Sequence, residues 1–174
     1  MSAARVETCC EELSIALEQL ASLQEAVFEA ISEKLDSMRR ADVEAMIKAS
    51  HREAELVRQI RATDGPRQGA IDGLSAALGI PGAGDVRGPR LSAIVSRIEG
   101  PASERLMRIG QTLRTKMLKV AEANRVVELV SREMLNHFRT LFAAIVRDDG
   151  ELATYSSGGG INRATGCRVL DAVG

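Results

Sequence analysis

Residues 6–61 contain neither proline nor glycine, and apolar side chains recur through them at alternating steps of three and four: Leu13, Leu17, Leu20, then Val27, Ile31, Leu35, Met38. That is the stripe of a long amphipathic helix. Arg40-Ala41-Asp42 is its weakest point, the place for a bend. At 1.5 Å per residue such a helix is on the order of 80 Å long. No small globule encloses it, so it needs a partner of similar length.

A second long helix is predicted over 102–148. "PASE" marks its start, with Pro101 or Ser103 at the entry. Leu106, Ile109, Leu113, Met117, Val120, Asn124, Val127, Met134, Phe138, Leu141 and Ile145 follow at nearly heptad spacing. Between the two lies a stretch holding all four prolines. It reads as short helices over 68–78 and 89–98, with a Gly/Pro loop at 79–88. The expected fold is therefore all-α: a long antiparallel, coiled-coil-like helical hairpin with short helices in its connection. A helical domain over 1–148 precedes a flexible C-terminal tail over 149–174.

Charge supports two paired helices. Residues 1–33 carry seven Glu against one Arg, a balance of −6, whereas 105–119 carry five basic residues and no acid. Residues 125–147 carry a balance of +2. In an antiparallel hairpin the acidic start of the first helix lies beside this later part. The basic 105–119 face is then either solvated or a binding patch. Asn124 falls within the apolar stripe, where a polar residue commonly sets register or partner number.

Composition narrows the function. The 174-residue chain is 45% hydrophobic but only 2% aromatic, which suits thin helical packing. Its net charge of −1 argues for neither nucleic acid nor an anionic membrane as partner. No stretch nears the roughly 18 apolar residues of a membrane span, and the first 33 residues lack the pattern of a signal peptide. Cys9, Cys10 and Cys167 are odd in number and form no Cys-x-x-Cys, so reduced thiols are expected rather than a disulfide framework or a metal site. His51 and His137 sit on separate helices. Neither has the Glu-x-x-His spacing of a di-iron bundle. "GAGDVRG" at 82–88 lacks the spacing of a dinucleotide fingerprint, and "GGG" at 158–160 has no Gly-Lys-Ser/Thr behind it. No catalytic constellation emerges, and neither an enzyme, a cofactor nor a metal is expected.

Binding remains. Met134, Leu135, Phe138, Leu141, Phe142, Ile145 and Val146 form a band wider than one a/d seam. Such a band holds a client, completes a local three-helix core with the short central helices, or seals a homodimer. The tail, "ELATYSSGGGINRATGCRVLDAVG", carries the one tyrosine, Tyr155. The glycines after it forbid a continued helix. The ring is either a recognition anchor or a surface group folded back on the last helix.

Four stretches together resemble the flagellar export chaperone family FlgN. They are the long acidic first helix, "LSAALGIP" at 74–81, "VAEANRVVELVSREMLNHFRTLFAAI" at 120–145, and the tail with Thr154-Tyr155, its glycines and "VLD" at 169–171. "SSGGG" after the tyrosine and the Gly/Pro-rich centre depart from the family's pattern. The resemblance implies a cytoplasmic, non-enzymatic type III export chaperone for hook–filament junction (hook-associated) proteins. It would hold their amphipathic helical ends at 134–146 and release them at the export gate; the ring of Tyr155, as a recognition anchor in the tail, is then expected to contact the export machinery. A coiled-coil adaptor or homodimerisation module is the alternative.

Overall fold

A computed structural model describes residues 3–80 and 89–149. They form four helices: α1 (Ala3–Arg39), α2 (Val43–Leu78), α3 (Leu91–Val95) and α4 (Pro101–Asp149). The chain divides into two units, residues 1–127 and 128–174, with the division inside α4.

The all-α helical hairpin is present, but α1 and α2 build it. The helix expected over 6–61 breaks at Arg40-Ala41-Asp42 and reverses. Ala41 takes a left-handed conformation (φ 52°). The Ala41 N–H donates to the Met38 carbonyl (3.1 Å) and the Asp42 N–H to the Ser37 carbonyl (2.9 Å), the double bond of a Schellman stop. Asp42 then opens α2, its side chain accepting from the Ala45 N–H at 3.0 Å. A non-glycine residue in this conformation costs about 1 kcal/mol. Ala41→Gly should therefore stabilise the protein by about that amount, read as a higher urea midpoint at unchanged slope.

α2 in turn runs straight through Gly65-Pro66, where a break was expected. Both residues face solvent. Pro66 removes one backbone donor, but the carbonyl left over is on the wet side of the helix, where water serves it. The helix stops at Gly79 (φ 64°), and the Ile80 N–H bonds the Ser75 carbonyl at 2.9 Å. The short helix expected over 89–98 shrinks to the five residues of α3. The loop at 81–88 and the tail from 150 onward, Tyr155 and 158–160 included, lie outside the described residues.

α1 and α2 are antiparallel. Cys9 lies beside Gly73 at one end, where a Cβ on the glycine would sit 2.9 Å from the Cys9 sulfur. Toward the other end Lys34 pairs with Glu53, and Arg52 pairs with Glu33 at 2.7 Å. α4 lies on another side of α1, and here the expected direction is overturned. Arg105 bridges Glu11 (2.7 Å) and Glu18 (3.0 Å), and Lys116 meets Glu25 at 3.3 Å. Positions rise together on both helices, so α4 runs parallel to α1. The cause is the reversal at Ala41: once the first helix folds back on itself, the next long helix returns in the original direction. Within the basic 105–119 stretch, Arg105 and Lys116 answer acidic residues of α1, while Arg108, Arg114 and Lys119 stay exposed, as a solvated face would be.

The core of the first unit joins Cys9, Cys10, Leu13, Leu17 and Ala21 of α1 to Ala70, Ile71 and Leu74 of α2, Ile94 and Val95 of α3, and Leu106 and Leu113 of α4. α1 is covered on two sides, which is why its buried set is broader than one stripe. Gly110 lets α3 approach α4: a Cβ there would lie 2.6 Å from a Leu91 methyl.

Candidate functional site

The apolar stripe of α4 starts in the core and ends in solvent. Leu106 and Leu113 are buried, Val120, Val127 and Met134 half-buried, and Phe138 and Leu141 exposed. Between Leu113 and Val127 the seam steps through Lys116 and Ala123, both half-buried, and leaves Met117 and Asn124 exposed. Asn124 is thus exposed, one position off the seam. A heptad pattern leaves such adjacent positions ambiguous. Lys116 occupies the seam because its stem lies along the helix surface while its ammonium reaches Glu25.

The second unit carries the widest exposed apolar surface of α4. Leu135, Phe138, Leu141, Phe142, Ile145 and Val146 are all exposed, from 46% at Leu141 to 69% at Val146. Met134 is half-buried. At 100° per residue these seven side chains occupy a band about 140° wide. A coiled-coil seam is narrower, so the band matches a helix that lies against more than one neighbour or in a broad groove. Among the described residues the core cluster of the first unit holds none of these side chains.

The two edges of the band differ in charge. Arg132 and Arg139, both exposed and seven residues apart, flank the side of Leu135, Phe142 and Val146. His137, and beyond it Glu133, flank the other. Arg132 reaches back to Glu128 at 2.6 Å. Arg139 has no carboxylate partner among the described residues, and no acid stands three or four positions from it in the helix. Seven-residue spacing of like charge beside an apolar band was the signal in the sequence for this edge, which the apolar pattern alone did not reveal.

Other surfaces lie in the first unit. Val43 and Ile47 lie one turn apart on α2, exposed beside Ser50 and His51. A cleft between α1 and α4 is lined by Glu18, Glu25, Arg105, Arg108 and Lys116, of which Arg105 pairs with Glu18 and Lys116 with Glu25. Among the described residues no group of three His, Cys, Asp or Glu side chains could hold a metal ion. None of their helices is long and apolar enough to cross a membrane. Cys9 and Cys10 are free and buried. Burial, then the neighbouring Cys9 and Glu7, pushes the Cys10 thiol up, so it stays protonated and unreactive at neutral pH.

A family model described as FlgN protein matches residues 1–163. No curated protein and no solved structure matches the chain.

Proposed function

The chain belongs to the FlgN family, a family of flagellar export chaperones, and on that footing we propose that it escorts hook–filament junction proteins to the type III export gate in the cytoplasm. The observation that carries this reading is the exposed band of the second unit. Helical ends of junction proteins would aggregate or be degraded if left bare. Laying the apolar face of such an end against Phe138, Leu141, Phe142 and Ile145 removes both apolar surfaces from water. No bond is made or broken in this task, and it calls for no cofactor. Contact through one helix face also permits release, which a chaperone left behind during export requires.

Tyr155 is assigned to the gate contact. An aromatic ring with a polar tip anchors well in a pocket at low entropic cost. The test uses the full chain co-expressed with a junction protein. The two should co-elute from a sizing column, and Tyr155→Ala should keep that complex while lowering secretion of the client. Loss of the complex would move Tyr155 into the client site, and normal secretion would remove it from the gate. A homodimer that ignores every junction protein would favour the adaptor reading instead.

A further inference from the structure

We infer that the face at 134–146 selects an amphipathic helix with an acidic edge, whose carboxylates lie against Arg132 and Arg139. The inference rests on the reading of this face as the client site and adds the chemistry by which a client is chosen.

Three observations carry it. The apolar band is bounded by opposite characters, arginines along one edge and His137 with Glu133 along the other. The arginines stand seven residues apart, about 10.5 Å along the helix, the repeat at which a docked helix returns to the same edge. Arg139 has no acid within reach on its own helix and none among the described residues, while Arg132 holds only the exposed Glu128. An exposed cation beside a surface destined to be covered loses water on docking. It then strongly prefers a carboxylate to a neutral or basic neighbour.

A second copy of this chain fits less well in the antiparallel arrangement. In an antiparallel pair of such helices identical edges meet, so Arg132 and Arg139 of one would face the same arginines of the other. An acidic-edged partner turns that repulsion into attraction.

The test needs no identified client. Three 21-residue amphipathic peptides share Leu and Ile at their apolar heptad positions and carry Glu, Gln or Lys at both flanks. Their dissociation constants are measured by fluorescence anisotropy against the full chain at low salt. The Glu peptide should bind about tenfold more tightly than the Gln peptide and the Lys peptide least well, with the spread shrinking as salt rises. The variant R132E/R139E, with its helical circular dichroism checked, should reverse the order. Equal binding of all three, unmoved by that variant, overturns the acidic-edge inference and leaves the apolar client face standing. Binding of none of them overturns both. Peptide binding that merely tracks dissociation of a chain dimer in sedimentation assigns the face to a second copy and overturns the inference as well.

Discussion

Phe138→Asp should abolish capture of a junction-protein helix while leaving the chaperone folded. Phe138 lies near the middle of the exposed band, with Leu135 and Phe142 one turn to either side. In the free chain it is 51% exposed, so the substitution removes little folded-state packing. Its cost to the helix is bounded by propensity, below about 1 kcal/mol. In the complex the same position is covered. A carboxylate placed there must be desolvated without a partner, at a cost of several kcal/mol in mutational terms, or about a hundredfold or more in affinity. Phe142→Asp should act in the same direction, and more weakly if the client leaves that edge wet. The measurement is co-purification, with helical circular dichroism and sedimentation as controls. If both variants still hold the client, the face lies elsewhere. If both instead turn a stable dimer into a monomer and no client binds either form, the band seals a homodimer.

The residues of this face were legible in the sequence, because a band broader than one seam shows directly in the spacing of apolar residues. So were the all-α class and the start of α4 at Pro101. Chain direction was not. The reversal at 40–42 uses no glycine and no proline, only Ala41 in a left-handed turn and Asp42 as a cap. Gly65-Pro66 looks like a stop yet sits inside α2, since nothing buries the backbone group that proline leaves unpaired. These two misread signals reverse the pairing of α1 and α4. The charge pattern already held the answer: the strongest acidic and basic segments, 1–33 and 105–119, fit each other better than either fits 125–147. Arg105 between Glu11 and Glu18 is that fit. Its guanidinium is held above its ordinary range by the hydrogen bond to Glu18 and by the Glu11 charge. Exposed pairs of this kind contribute little stability each, so they mark the register of the two helices rather than supply its strength. Asn124 illustrates the remaining gap. Only the packed structure separates it from Ala123 as the seam residue.

Strength comes from the apolar seam, and the second large effect belongs there. Leu106→Ala should destabilise the protein by about 3 kcal/mol. Leu106 is fully buried in the core that joins α4 to the other three helices. Truncating it loses transfer free energy and opens a cavity among neighbours held by their own helices. Leu118, on the same helix, is 63% exposed, and Leu118→Ala should cost less than about 0.5 kcal/mol. The contrast is measured by urea unfolding of the two variants, which share residue type, helix and substitution and differ only in burial. Equal costs would mean that the seam of α4 runs on the other side and that its parallel pairing with α1 is wrong. Leu106→Ala should leave client affinity unchanged under conditions where the chain stays folded, because the core cluster contains no residue of the 134–146 face. Phe138→Asp should do the reverse, sparing the urea midpoint and removing the client. Opposite effects on the two readouts would separate what holds this helix in the bundle from what its far end is proposed to hold.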